Sequence, residues 1–213
     1  MTAKTRCLPA GLPAALAALA GLAALTVAMA QGGTQAFDRW GLETFAALRT
    51  PGADAFFLTL TWLGSGWLLA PAALLIALYL AARRHRAAAV ALGLGYFGAA
   101  LTTWLLKSAI ARERPPAPLV EIAAWDWSFP SSHATQAAAF ALGMWLLTGR
   151  FRPRWRTAAG VVLAGLVLLV AASRLHLQAH WPSDVAAGLL VAILWAGLAL
   201  AATRQPGIKG GTP

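Results

Sequence analysis

Six apolar runs, each about as long as a bilayer core is thick, leave this chain little choice of architecture. They cover residues 8–30, 56–82, 87–107, 132–149, 157–173 and 184–203, and apolar runs of about 18 or more residues predict membrane-crossing helices. Composition points the same way. The chain is 59% hydrophobic and 11% charged, against the ~25% charged residues usual in a soluble domain. The expected fold class is all-α: one membrane-embedded domain over residues 1–213, a polytopic helix bundle of about six transmembrane helices. The first run has a second reading. Lys4 and Arg6, an apolar stretch and then Ala28-Met29-Ala30 also fit a cleavable signal peptide, although a usual signal core has only about 7–15 apolar residues. A retained first span is the favoured expectation.

A formal charge of +10 invites a nucleic-acid reading, which the placement of the charges argues against. Basic residues gather in short loops between apolar runs, as the positive-inside rule describes, rather than along one face. Lys4, Arg6, Arg83, Arg84, Arg86, Arg150, Arg152, Arg154, Arg156, Arg204 and Lys209 fall on one side. Asp38, Glu43, Asp54, Glu113, Glu121, Asp126 and Asp184 fall on the other. The basic side is expected to be cytoplasmic, with both termini inside. Cys7 stands alone, so neither an intramolecular disulfide nor a multi-cysteine metal site is available. It is expected just before the first span.

Between the first two runs, Phe37, Trp40, Phe45 and Leu48 recur at helical spacing, with Asp38, Arg39 and Glu43 on other faces. The pattern predicts a short helix, either lying in the membrane interface or packed on the bundle. The outside loop at 108–131 is rich in proline, with Pro115, Pro116, Pro118 and Pro130, and prolines stop helices and stiffen loops. Trp125, Trp127 and Trp181 are expected near the outer interface and Trp155 near the inner one, as an aromatic belt. Trp125 and Trp127 are the best candidates for stacking on a substrate instead.

Three clusters of basic residues and histidines sit at the outer ends of different runs. In the first, Lys107 closes the third run and Arg114-Pro115 follows. Pro115 disfavours helical geometry at Arg114, so this second cation is expected where the helix ends. A compact ammonium and a planar guanidinium can hold different oxygens of one phosphoryl group, yet both also read as snorkelling interfacial residues. Arg112 is expected to be snorkelling only. In the second cluster, Pro130-Ser131-Ser132-His133 precedes an apolar helix. Its serines suit an N-cap, and a helix N-terminus is an anion site. His133 stands where it can deliver a proton to a leaving oxygen.

The third cluster is Ser173-Arg174, His180 and Asp184. A carboxylate near an imidazole fixes its tautomer and stabilises the cation formed when it attacks or takes a proton. Asp184 and Pro182 both suit a first helical turn. His176, His180 and Asp184 are spaced by four, which also fits a metal site, but Pro182 argues against one continuous helix through them. His176 is expected to be a headgroup or interface residue.

Taken in order, Lys-x6-Arg-Pro, Pro-Ser-x-His and Ser-Arg-x5-His-x3-Asp resemble the three-part signature of the type 2 phosphatidic acid phosphatase superfamily, which includes integral-membrane lipid phosphatases and soluble vanadium haloperoxidases. The match covers residues 107–184 by motif. It departs at Ser132, where the family commonly has glycine, and that departure bears on the Ser132 contact with phosphate. By resemblance, His180 is the nucleophile that forms a phosphohistidine and Asp184 orients it. His133 is the general acid and later activates water. Lys107, Arg114, Ser131, Ser132 and Arg174 bind the phosphoryl oxygens, with no metal and no other cofactor. The implied partner is a membrane lipid phosphate in the bilayer, not nucleic acid. Candidate substrates are undecaprenyl diphosphate, phosphatidylglycerol phosphate, phosphatidic acid and lipid A phosphate, the first being preferred on the resemblance alone. Competing functions are a phosphotransferase passing the phosphoryl group to another lipid, and a non-catalytic lipid-phosphate binder or carrier. The sequence leaves the oligomeric state open.

Overall fold

A computed structural model describes residues 9–120 and 126–203. Cys7, Lys4, Arg6, Glu121, Trp125, Arg204 and Lys209, which figure in the sequence reading, lie outside these described residues. The described residues form eight α-helices: α1 (Leu12–Ala30), α2 (Gln35–Ala47), α3 (Pro51–Leu60), α4 (Gly66–Ala82), α5 (Arg86–Ile110), α6 (Ser132–Leu147), α7 (Pro153–His176) and α8 (Pro182–Thr203). No strand occurs among the described residues, as the all-α expectation requires.

Among the described residues, five stretches are long and apolar enough to cross a membrane: Leu12–Ala30, Pro51–Ala82, Arg86–Ile110, Pro153–His176 and Pro182–Thr203. The sixth expected span, 132–149, becomes the 16-residue α6, about 24 Å long at 1.5 Å per residue. Ser131 caps its start, and a 3-10 turn over Thr148–Arg150 ends it. Helix α6 contacts α5, α7 and α8, and Ala134, Ala137, Ala138, Ala139, Ala141 and Gly143 are all buried. It is short because it is enclosed by protein rather than facing lipid along its length.

The run expected at 56–82 is also modified. Residues Thr61–Gly64 form a 3-10 turn, after which the Ser65 hydroxyl accepts a hydrogen bond from the Trp67 N–H and starts α4 afresh. Thr61, Gly64, Ser65 and Gly66 are weak helix formers that favour caps and turns, and the break turns the Thr61 hydroxyl inward.

Helix α8 is the hub, packing on α1, α5 and α6. Small residues make the approach possible, as is usual where membrane helices pack without a hydrophobic drive between them. At Gly188 an added Cβ would lie 2.8 Å from the Ser131 carbonyl oxygen and from Thr135 Oγ1. That contact sets the second cluster against the third. Large apolar side chains on the outer surface, including Leu75, Leu78, Val161 and Leu168, present a face suited to lipid tails.

Helix α2 forms as expected, and it shows its apolar stripe outward, as a helix lying in the membrane interface does. Asp38, Gly41 and Leu42 are its buried residues, packed towards α7 and α8, while Phe37, Trp40 and Leu48 are exposed. The inward side carries one charged residue, Asp38, which meets the arginine Arg112; Gln35, Arg39, Glu43 and Thr44 stay exposed. At Gly41 an added Cβ would lie 2.4 Å from Pro182 Cγ, so the small residue brings α2 against the first turn of α8.

Candidate active site

Each cluster owes its position to a helix end. Helix α5 stops at Ile110, four residues before Arg114, and Ala111 takes a left-handed conformation with φ 49°. Lys107 and Arg114 therefore do not share a continuous helix. The loop that follows is pinned by backbone hydrogen bonds: Leu119 N–H to the Leu177 carbonyl, Ser128 N–H to the Arg112 carbonyl, and Ser131 N–H to the Asp184 carbonyl, at 2.8–3.0 Å. Helix α6 starts at Ser132 and α8 at Pro182, which places Asp184 in a first turn.

Together these ends surround a cavity of about 940 Å³. Arg114, Asp126, Ser132, His133, Arg174 and His180 line one part of it, with Thr61, Ser65 and Gln136. Trp62, Trp67, Leu58, Leu74 and Phe97 line the other part. Trp67 is 88% exposed, so the apolar wall runs out to the lipid-facing surface.

His180 is buried, and its two ring nitrogens face opposite partners. Nε2 is 3.1 Å from Arg114 Nη1. A guanidinium only donates, so Nε2 must accept and its lone pair points to the cavity side. The proton then sits on Nδ1, which is 3.5 Å from Asp184 Oδ2. That separation is long for a hydrogen bond, and Nδ1 makes no bond of good geometry, although the Ser128 backbone also lies beside the ring. Burial holds the His180 imidazole well below the ordinary histidine value, with the Arg114, Arg174 and Lys107 cations adding to the shift. The ring is thus neutral at ordinary pH, with Nε2 unprotonated.

The cations are held tightly. Arg114 Nε donates to the Asp126 carbonyl (2.8 Å), Nη1 to the Ala179 carbonyl and Nη2 to the Trp127 carbonyl. Lys107 Nζ donates to the Trp127 carbonyl as well. Asp126 bridges both cations, its carboxylate oxygens lying 2.9 Å from Lys107 Nζ and 2.9 Å from Arg114 Nη2. Arg174 is buried, with Nη1 donating to Thr61 Oγ1 at 2.7 Å, while its Nε has no partner.

Some expectations change. Arg112 is not a snorkelling residue. Its side chain is 16% exposed, and it contacts Asp184 at 2.6 Å and Asp38 at 2.7 Å. The left-handed turn at Ala111 directs it into the bundle. His176 is not an interface residue either, being buried with Nε2 2.8 Å from Asp54 Oδ1 and its ring against Phe57. Helix α3 packs on α7 and covers it. With His176 turned to Asp54, the His176, His180 and Asp184 metal grouping does not assemble, and no group of three such ligands occurs among the described residues.

Ser131 and Ser132 part company. The Ser131 hydroxyl caps the Ala134 N–H and is fully buried, whereas Ser132 lines the cavity. Trp127 does not line it and meets Lys107 and Arg114 through its backbone carbonyl; the aromatic lining comes from Trp62, Trp67 and Phe97.

Sequence reasoning missed several participants. Ser128 donates its hydroxyl hydrogen bond to Asp184 Oδ2, which also accepts from the Trp181 N–H at 2.9 Å. Gln136 accepts from the Tyr96 hydroxyl at 3.0 Å; a lone amide in an apolar run was the available signal. For Asp38 and Asp126 there was no such signal, since both sit in loops or helices that already looked solvated.

Comparison with known proteins follows the same lines. The sequence profile of the PAP2 superfamily matches residues 88–207, which include all three clusters. Decaprenylphosphoryl-5-phosphoribose phosphatase of Mycobacterium tuberculosis is 41% identical over 127 residues, covering 58% of this chain and 64% of that protein. Undecaprenyl-diphosphatase of Sulfolobus acidocaldarius is 33% identical over 120 residues, covering 54% of this chain and 55% of that one. The chain thus spans less than two thirds of the length of these relatives. The crystal structure of a transmembrane PAP2-type phosphatidylglycerolphosphate phosphatase from Bacillus subtilis superimposes with a TM-score of 0.77 at 24% identity, covering 87% of this chain and 93% of that one. At that identity the likeness is one of fold, and the fold is that of a multi-pass membrane protein.

Proposed function

Since this chain belongs to the PAP2 superfamily, we propose that it is a metal-independent lipid phosphatase working through a phosphohistidine on His180. The observation that carries the reading is the His180 environment: a buried imidazole with Nε2 3.1 Å from an arginine fork, Asp184 beside Nδ1, and a cavity that is cationic at one part and apolar at the other. Phosphoryl transfer asks a protein mainly for placement and charge stabilisation, and these residues offer both.

In the proposed reaction a phosphoryl group displaces Asp126 from the cations. Lys107, Arg114 and Arg174 then take its oxygens, with Ser132 better placed to help than Ser131. Nε2 of His180 attacks phosphorus in line with the leaving lipid oxygen, which takes a proton from His133. Burial and the cations around it hold the free His133 imidazole well below the ordinary histidine value, so the arriving phosphoryl anion is what favours its charged form. The positive charge arising on the imidazole is stabilised by Asp184, and the gap at Nδ1 closes as it forms. His133, now neutral, removes a proton from water, and that water releases phosphate and frees His180.

The apolar wall formed by Trp62, Trp67, Leu74 and Phe97 suits a long hydrocarbon chain lying beside the phosphate. A polyprenyl diphosphate such as undecaprenyl diphosphate is the preferred substrate, supported by the polyprenyl compounds in the names of both relatives. The proposed location is a bacterial cytoplasmic membrane, with the site facing the periplasm or exterior and the termini cytoplasmic. The charge asymmetry of the loops supports this orientation.

Purified protein in detergent, assayed for phosphate release from a panel of lipid phosphates, tests the activity. Release should persist in excess EDTA, because three cations of the chain supply the charge a metal supplies elsewhere. No release from any lipid would end the reading; loss on chelation restored by zinc would end its metal independence. For orientation, Ala117→Cys in the proline-rich loop should react with an impermeant thiol reagent in intact spheroplasts, and Gly149→Cys only after lysis, with Cys7 replaced beforehand. The reverse pattern would turn the site inward.

A further inference from the structure

Asp184 is held from the side away from the cavity by a polar network that none of the three clusters contains. Arg112 Nη1 donates to Asp184 Oδ1 at 2.6 Å and to Ser183 Oγ at 2.7 Å, while Nη2 donates to Asp38 Oδ2 at 2.7 Å. Ser183 completes the ring. Its hydroxyl donates to Asp38 Oδ2 and its backbone N–H to Asp38 Oδ1, both at 2.8 Å. Asp38, Ser183 and Asp184 are all buried, and Arg112 does not line the cavity.

We propose that Arg112 and Asp38 are positioning residues, a relay from α2 that fixes the Asp184 carboxylate against His180 without cancelling its charge. Geometry gives the first half. With Oδ1 committed to Arg112 and Oδ2 to Ser128 and the Trp181 N–H, the carboxylate cannot rotate, and Oδ2 stays 3.5 Å from His180 Nδ1. Charge balance gives the second half. One guanidinium shared by two carboxylates leaves the group with one net formal negative charge. Arg112 alone on Asp184 would form a neutral pair and weaken the field felt by the imidazole as it becomes positive. Asp38 draws the guanidinium half away. Burying such a set is costly unless every member is paired, and here each has at least two partners.

The same network explains two features of α2. Asp38 is the one charged residue on its buried side, and Gly41 gives it the clearance to rest on Pro182, one residue before Ser183.

This inference rests on His180 being the nucleophile, so its test begins from a lipid phosphate that the wild-type protein hydrolyses. Arg112→Lys keeps the charge but loses the two-pronged bridge, and Asp38→Asn keeps the shape but loses the charge. Each should lower kcat by about 10- to 100-fold, the scale seen when outer partners of a site ligand are removed. KM and the inhibition constant of orthophosphate should stay within about twofold, since neither residue meets the phosphoryl group. The deciding measurement is a cycle with Asp184→Asn, followed with radiolabelled substrate. Once the carboxylate is gone, adding Arg112→Lys should cost less than about twofold more, because groups acting as a unit are non-additive. Should Arg112→Lys fail to insert or fold, Ser183→Ala, which removes only the bridging hydroxyl, should still lower kcat about 2- to 5-fold with KM unchanged, and be silent on top of Asp184→Asn. Equal fold losses in both backgrounds would reduce the network to a fold brace. A raised KM with unchanged kcat would make Arg112 a phosphate ligand. Wild-type kcat in Arg112→Lys would remove the relay altogether. An inactive wild type, by contrast, overturns the phosphatase reading itself.

Discussion

Arg112 and Arg114 stand two residues apart in one loop and end up on opposite sides of the same histidine. Arg112 faces away from the cavity, locked between the buried carboxylates Asp38 and Asp184. Arg114 faces the cavity, sharing Asp126 with Lys107, and Asp126 is 39% exposed. One arginine is therefore committed to its partners and the other is held by a counterion that an arriving anion can replace. Identical side chains differ because desolvation makes the first set of pairs hard to exchange, while water at the cavity mouth keeps the second set exchangeable. On the proposed reaction, the sealed side positions and the open one binds.

The strongest way to break this division is to remove what lies between its halves. His180→Ala should abolish turnover, a loss of about 10⁴-fold or more for a residue that forms the covalent intermediate, while the protein remains inserted and folded. Near-normal phosphate release by this variant would leave neither side with a function. Next in size is Arg114→Lys, which keeps the charge but cannot reproduce the fork. Its kcat/KM should fall by about 10²-fold or more, as when one preorganised donor is lost. Unlike Arg112→Lys, it should also raise KM. Matching kcat and KM changes in the two variants would erase the distinction between them.

Acidity sharpens the comparison. Only neutral imidazole can attack, and the folded His180 value lies below 6.5 through burial first and the cations second. The ring is therefore neutral at 6.5 and above, and nucleophile is lost only as pH falls through that lowered value. The acid limb of kcat/KM attributable to His180 should lie below 6.5, and Arg114→Gln should move it upward towards 6.5 by removing a neighbouring positive charge. A limb that stays in place when Arg114 is neutralised would show that the cavity-side cation does not act on the ring. The smallest effect is expected from Asp126→Asn. Freed of a competing carboxylate, Lys107 and Arg114 should bind orthophosphate about 2- to 5-fold more tightly, in line with a half-exposed ion pair worth up to about 1 kcal/mol. Weaker phosphate binding in this variant would mean that Asp126 orders the cations rather than occupying them.

Much of the fold could be read from periodicity and length, because a bilayer allows few solutions to a long apolar run. The exceptions have local causes: the 3-10 break at Thr61–Gly64, and the short α6, which α5, α7 and α8 enclose. His133, Arg174, His180 and Arg114 could be picked out as well, since ionisable residues at the mouths of apolar helices are costly to keep there without a use. Arg112 and His176 have the same kind of sequence surroundings and yet turn into the bundle. Nothing in their neighbourhood names Asp38, 74 residues away from Arg112, or Asp54, 122 residues away from His176.

By itself, then, the sequence determined the helical class, the number of apolar runs and the residue types available at one end of the bundle. Those depend on side-chain chemistry and spacing along one chain. Only the tertiary structure decided which arginine meets which carboxylate, which serine caps and which lines the cavity, and which tryptophans form its wall. These choices follow from close helix approaches at Gly41 and Gly188 and from the turn at Ala111. In a water-poor interior each buried charge must find a partner of opposite sign, and the identity of that partner is set by which helices the packing brings together.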